Sequence, residues 1–404
     1  MIPKNILFFF PYDEGPAGVN ILFLRMADYL ADDTDLKIHL VDYPNGYMIS
    51  HNKNPKIGVL EFVPQQPLPI PYDSAVIFQT LPPWYIPNEL KLREDTKLLF
   101  WTLHPYNLLM YFRLHRLRKP YYYSLGAVYL KHLMRRFTAI LVQHRGIAFM
   151  DGENRKAAEE VIGTSIQKPV YVPVASGPVN RQAFKYFDSF AWLGRLADFK
   201  IPILFRTIEA AWRYSLEYKQ KLNFHIIGDG PEREKVRKFA ESLHSQYFEV
   251  QMVGEIEERE IEQQLASRAS VLFAMGTSAL EGARIGMPTI LLDFSYNQVN
   301  SDYKYNYVFE ACDYTLGREI GGDGYQPGSR SLEQVINELR DPDHYQRVSD
   351  RCCQYYSYNH NVAAVSHRLL EALRISELRY ENITSLQNNI FMRAFKAVRG
   401  SKQF

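Results

Sequence analysis

Arg195, Lys200, Ser278 and Glu281 are the residues of this chain whose types and spacing could do chemistry together. Arg195 and Lys200 follow the apolar run AWL at 191–193. A guanidinium there can grip a phosphate bidentately, and an ammonium adds a point charge. Gly276, Thr277 and Ser278 open a helical pattern within FAMGTSALEGARIGMPTILLD (273–293). Unpaired amides and the helix dipole make such an end an anion site. The dipole contributes only about 0.3–1 kcal/mol, too little to hold a diphosphate, so the cations are required. Glu281 lies one turn in and leans back toward the helix start. From there its carboxylate can accept hydrogen bonds from two vicinal ribose hydroxyls, each contributing about 1.5–3 kcal/mol. Gly228 and Gly230, in the run GDGP, permit a tight turn and close backbone approach. Together these groups suit a nucleoside diphosphate. Each also has a plainer reading: Ser278 and Glu281 have capping-box spacing, Arg195 and Lys200 could be solvated loop charges, and GDGP could be a structural turn.

The elements that must position these residues read as alternating strands and helices. AWLGRL, NFHIIGDGPEREKV and FAMGTSALEGARIG are three strand–turn–helix units, which predicts an open parallel sheet with its ligand beyond the carboxyl ends of the strands. Upstream, NILFFF, LKIHLVDY, SAVIFQT, KLLFWTL and TAILVQH (138–144) read as strands, and residues 20–30 and 151–163 as helices, the latter ended by Gly163. Pro-rich pieces (61–72 and 81–90) suggest loops over the strand tips. PVYVPVASGPVN (169–180) has the composition of an interdomain connection. We therefore expect an N-terminal domain at 1–175, a second at 176–356, and C-terminal helices at 357–404 that return to the first.

At 404 residues, two domains are the natural expectation. A net charge of +2 gives no global field for nucleic acid. The three cysteines, Cys312, Cys352 and Cys353, have no Cys-x-x-Cys spacing and suggest a reducing compartment. The apolar run Ile6–Phe10 is too short for a signal peptide, and no stretch reaches the roughly 18 apolar residues of a membrane span. A cytoplasmic protein, attached to a membrane at most by its surface, is expected. No Asp-x-Asp follows a strand; Asp341-Pro342-Asp343 lies between helical patterns and reads as a turn, so no metal site is expected.

The order of these units resembles the GT-B glycosyltransferases, closest to the retaining, metal-independent family 4 type. Gly194, Arg195, Leu196 and Lys200 match that family's phosphate signature, IIGDGPE its nucleotide-side turn, and Glu281, Gly286 and Pro288 the second half of its paired-glutamate motif. The resemblance implies an α/β protein of two Rossmann-like parallel-sheet domains facing each other across a cleft. It implies transfer of a sugar from a nucleotide diphosphate donor to a hydroxyl of a glycan or lipid-linked saccharide, without a cofactor. Two positions depart from the pattern. The family's first glutamate falls on Phe273, and Ile201 stands where a glycine follows the lysine.

The resemblance also implies that His104, after KLLFWTL, contacts the donor sugar, and that the first strand–helix turn, with Asp13, Glu14, Gly15 and Gly18, faces the same cleft. In an inverting enzyme one of those carboxylates or His104 could be a general base; in a retaining one a phosphate oxygen of the leaving group assists. Residues 110–137 hold seven Lys or Arg, no acid, and seven Tyr or Phe. Such a segment suits an anionic bilayer and a lipid-carried acceptor, or else a packed helix pair with a basic edge. Two rivals share the fold: a nucleotide-sugar epimerase, and a non-catalytic subunit scaffolding polysaccharide assembly, the latter suggested by Phe273.

Overall fold

Strands rich in Ile, Leu, Val and Phe are buried on both faces, as parallel sheets require. The first unit shows this directly. Its strands are β1 (Asn5–Phe9), β2 (Lys37–Asp42), β3 (Gly58–Glu61), β5 (Ser74–Gln79), β7 (Lys97–Thr102) and β8 (Ile147–Phe149), all parallel in the order β3-β2-β1-β5-β7-β8. A short pair, β4 (Leu68–Pro69) and β6 (Leu90–Lys91), lies within the Pro-rich loops. The computed structural model describes residues 2–12, 15, 17–112, 125–184, 189–322 and 324–387. Side chains alternate across the sheet. Leu7, Phe9, Phe78 and Phe100 enter one core with Phe137, while Ile6, Phe8 and Trp101 enter another with Phe23. Trp101 keeps its indole proton satisfied by donating to the Val172 carbonyl at 2.7 Å.

The helices of this part are α1 (Gly18–Asp33), α2 (Tyr47–His51), α3 (Tyr106–Leu109), α4 (Leu125–Gln143) and α5 (Gly152–Ile162). Gly163 ends α5 in the left-handed conformation, φ 77°, as its sequence predicted. One expectation fails. TAILVQH is not a strand but the last two turns of α4. Leu133, Phe137 and Leu141 recur at helical spacing and are buried, and the Thr138 hydroxyl bonds back to the Met134 carbonyl at 2.9 Å. The β-branched residues of the run suggested a strand; the apolar stripe they continue belongs to a helix. The strand is the next element, β8.

Residues 113–124 of the basic aromatic segment, and Asp13 and Glu14, lie outside the described residues. In the described part of the segment, Leu133, Met134 and Phe137 are core while His132, Arg135 and Arg136 are exposed. Among the described residues no helix is long and apolar enough to cross a membrane.

The second unit, Ser176–Asn361, repeats the architecture. Parallel strands β9 (Ser189–Leu193), β10 (Leu222–Ile227), β11 (Phe248–Gly254), β12 (Val271–Ala274) and β13 (Thr289–Leu291) are joined by an antiparallel edge, β14 (Asn306–Tyr307), in the order β11-β10-β9-β12-β13-β14. Its helices are α6 (Ile201–Glu217), α7 (Arg233–Ser242), α8 (Ile261–Arg268), α9 (Thr277–Arg284), α10 (Leu332–Arg340) and α11 (Pro342–Asn359). Asp341 caps α11 by accepting from the His344 amide at 2.6 Å, so Asp341-Pro342-Asp343 is a helix start.

The chain leaves this unit at Asn361–Val362, not at the expected 356, because α11 runs through that position. It returns as α12 (Val362–Ile375) and α13 (Glu381–Gln387). Val365, Leu369 and Leu373 of α12 join the core of Phe23 and Met26. Beyond α12, the Leu98 amide donates to the Leu378 carbonyl at 3.0 Å. Gly146 has no room for a Cβ because the fully buried Leu378 side chain fills that space. The return segment is therefore part of the first unit's core. Leu378→Ala should destabilise the protein by about 2–5 kcal/mol in denaturant titration; a loss within experimental error would show that the segment is only laid on the surface.

Candidate functional site

In the second unit the strand order reverses between β9 and β12, the point at which open parallel sheets bind ligands beyond the strand ends. The loops leaving these two strands carry most of the candidate residues. Gly194 follows β9 with φ 152°, a backbone conformation that residues with side chains rarely adopt. A Cβ there would stand 3.7 Å from both the Lys200 Nζ and the Ser278 Oγ. Lys200 ends the β9 loop as the N-cap of α6, and Ser278 is the second residue of α9. The two side chains thus converge over one glycine.

Burial pushes the Lys200 ammonium below its usual range, and the neighbouring charge of Arg195 pushes it further. Arg195 is exposed, and Lys200 is half-buried beside the Phe199 ring. Neither has a carboxylate within ion-pair distance among the described residues. Two adjacent cations that lack an acid favour an anion between or beside them.

Helix α9 supplies further donors. Gly276 is its N-cap at φ 62°, and the Gly276 amide is tied to the Leu316 carbonyl at 2.7 Å. The loop carrying Leu316 is held in turn by Asp293, which accepts from the Arg318 amide and from the phenols of Tyr303 and Tyr325 at 2.9–3.2 Å. Burial raises the Asp293 pKa against these hydrogen bonds. The Ala279 amide bonds to the Gly276 carbonyl. That leaves the amides of Thr277 and Ser278 without a protein acceptor among the described residues, at the positive end of the helix.

Because the cap is Gly276, Ser278 and Glu281 do not form the capping box that their spacing allows. Glu281 has other partners: Oε1 accepts from the Ser176 hydroxyl at 3.2 Å and Oε2 from Arg284 Nε at 2.7 Å. Arg284 also pairs with Glu262. The Glu281 side chain keeps 17% of its surface open. Ser176, Glu262 and Arg284 were not singled out from the sequence, since Ser176 and Glu262 are remote in the chain and Arg284 resembles an ordinary helix-end cation.

Gly228 and Gly230 have a packing reason to be glycine. A Cβ on Gly228 would overlap the Gly194 carbonyl, and one on Gly230 would overlap that of Leu196. The Leu196 amide donates to the Asp229 carbonyl at 2.9 Å. These glycines bring the β10 loop against the β9 loop. Asp229 is held below the usual carboxylate range by the Gly230 amide and by Arg233.

Phe273 does not stand in the crevice at all. It lies in β12, fully buried, with ring centroids 5.4 Å from Phe190 and 6.1 Å from Phe224 and Tyr305. Only Met275 and Gly276 separate β12 from α9. With so short a turn, the position eight residues before Glu281 is a core strand position. The phenylalanine there serves the packing of the sheet's core.

The remaining candidates belong to the first unit. Gly15, at φ 93°, precedes α1, and Gly18 is the first residue of that helix. They follow β1, which meets β5 where that sheet's strand order reverses. His104 follows β7. Its Nδ1 accepts from the Tyr106 amide at 3.1 Å, so the neutral ring carries its proton on Nε2 and presents a donor. That tautomer suits hydrogen bonding to a sugar oxygen and does not suit a general base acting through Nε2. Desolvation lowers the His104 pKa, opposed by Asp151, although the residue as a whole stays exposed. Asp151 caps α5 through the Asn154 amide at 2.9 Å, and burial raises its pKa.

A cavity of about 430 Å³ in the second unit lies between α6, α7 and the loop at 296–299, lined by Asp198, Ile201, Phe205, Arg206, Phe239 and Tyr296 among others. It includes none of Gly194, Lys200, Ser278 and Glu281, and we place the site by the converging chemistry. Among the described residues no group of three or more His, Cys, Asp or Glu is arranged to hold a metal.

No protein-family model matches the chain, and no curated protein sequence does. Solved structures do. A glycosyltransferase from Rickettsia africae ESF-5 aligns at TM-score 0.57 and 11% identity, over 92% of this chain and 98% of that one. WaaG, a glycosyltransferase involved in lipopolysaccharide biosynthesis, aligns at TM-score 0.50 and 12% identity, over 91% of this chain and 99% of that one. With the two parallel α/β sheets, these likenesses define the fold as GT-B.

If position 273 is a core position, Phe273→Glu should lower stability by at least about 3 kcal/mol through the lost ring and the buried charge. Its thermal unfolding should fall several degrees with no gain in ligand affinity; a stable variant that binds nucleotide more tightly would contradict this.

Proposed function

We propose that the chain is a glycosyltransferase that moves a sugar from a nucleotide diphosphate donor to a hydroxyl of a glycan or lipid-linked saccharide. The observation that carries this reading is the Arg195–Lys200 pair, without an acid partner at ion-pair distance among the described residues, with Lys200 and Ser278 of α9 converging over Gly194. In such a transfer the bond from the sugar's anomeric carbon to the diphosphate oxygen breaks as the acceptor oxygen bonds to that carbon. Negative charge grows on the departing diphosphate. Arg195, Lys200 and the amides of Thr277 and Ser278 stabilise it, and fixed donors of this kind act most strongly where charge develops. Glu281 holds the ribose hydroxyls. We propose retention of configuration, with a phosphate oxygen of the leaving group taking the acceptor's proton. The cations supply the charge stabilisation without a required metal ion.

WaaG's role in lipopolysaccharide synthesis supports a lipid-linked acceptor, and the exposed Arg135 and Arg136 of α4 supply basic charge suited to an anionic membrane surface.

Calorimetry with UDP, GDP, ADP, CDP and dTDP tests the site. For the nucleotide that binds, Arg195→Ala, Lys200→Ala and Glu281→Ala should each weaken affinity about tenfold or more, equivalent to about 1.4 kcal/mol; three variants with unchanged affinity would end the proposal. Affinity should also fall as pH rises through the Lys200 pKa, which lies below the usual 10.5, because deprotonation removes the cation. Lys200→Met should lack that fall; an identical pH profile in the variant would exclude Lys200 as its source.

A further inference from the structure

Ser176 is the first residue of the second unit, and it is fixed by its backbone as well as its side chain. Its amide donates to the His360 carbonyl at 2.9 Å, and it pairs with Asn361 in an isolated bridge. The segment that follows is stitched to the end of α9: the Asn180 amide donates to the Arg284 carbonyl at 3.2 Å and the Gln182 amide to that of Ile285 at 2.9 Å. Tyr356 of α11 donates to the Gly177 carbonyl. The Ser176 hydroxyl, 7% of whose residue surface is accessible, therefore reaches Glu281 from a rigid backbone. Arg284 reaches the other carboxylate oxygen, itself anchored by Glu262.

A carboxylate offers about two acceptor directions on each oxygen. At Glu281 one direction on Oε1 is taken by Ser176, and one on Oε2 by Arg284. One direction on each oxygen remains, which is the pattern a pair of vicinal hydroxyls needs. We infer that Ser176 and Arg284 are positioning residues that orient the Glu281 carboxylate to receive a cis-diol, so that the segment entering the second unit sets the site's selectivity for ribose. This rests on the proposed ribose role of Glu281. Ser176 touches only the carboxylate in this scheme, and its contribution should appear solely when the ligand has hydroxyls for Glu281 to bind.

The test compares the best-binding nucleoside diphosphate with its 2′,3′-dideoxy analogue by calorimetry, on the wild type, Ser176→Ala and Glu281→Ala. The wild type should prefer the natural nucleotide. Ser176→Ala should reduce that preference about tenfold, the scale of one hydrogen bond to a charged acceptor, while affinity for the dideoxy analogue and the thermal unfolding temperature stay unchanged. Equal weakening for both nucleotides, tighter binding of either, or no change would overturn the inference, because Ser176 would then be structural, obstructive or idle. Arg284→Lys should keep more of the preference than Arg284→Gln, and equal loss in both would remove Arg284 from the assignment. If Glu281→Ala retains the full wild-type preference, the ribose reading itself fails, and that result is distinct from a failure confined to Ser176.

Discussion

The repulsion between Arg195 and Lys200 is the constraint on which the proposed donor site depends. Burial and a like charge both disfavour the Lys200 ammonium, and a folded chain retains such an arrangement at a loss of stability unless something offsets it. A bound anion would. The geometry around the pair suits an anion: Lys200 and Ser278 both border Gly194, and among the described residues the amides of Thr277 and Ser278 have no protein acceptor.

Several features that look like separate motifs serve this one arrangement. Gly228 and Gly230 let the β10 loop press on the β9 loop that carries Arg195 and Lys200. Asp293 and its tyrosines hold the loop that pins Gly276. Phe273 lies within β12 and packs in the core with Phe190, Phe224 and Tyr305. The two-residue turn of Met275 and Gly276 places the start of α9 just beyond the end of β12.

Much of this was legible in the sequence because it is local. Strand–turn–helix periodicity marked the central strands of both sheets but not β3, β8, β11 or β14, and the turns within 191–200, 223–236 and 273–293 lie at neighbouring strand ends. What was not legible depends on distant packing. TAILVQH has strand-like residues, yet its apolar stripe continues a helix that begins at Leu125. Phe273 read as a departure from the paired-glutamate pattern, and its place in the core was not visible because spacing alone does not reveal where a strand ends. Ser176 lies 105 residues from Glu281, and no periodicity joins them. The Ser278–Glu281 capping box was a sound local expectation that Gly276 displaced by taking the cap itself.

The most direct measurement is amide hydrogen exchange of the protein with and without a saturating nucleoside diphosphate. The amides of Thr277 and Ser278, open to solvent chemistry in the free protein, should become protected together with the loop at 194–200, and the corresponding nucleoside without phosphate should leave both unchanged. Protection confined to other segments, or equal protection by the phosphate-free nucleoside, would contradict a diphosphate held by α9, Arg195 and Lys200.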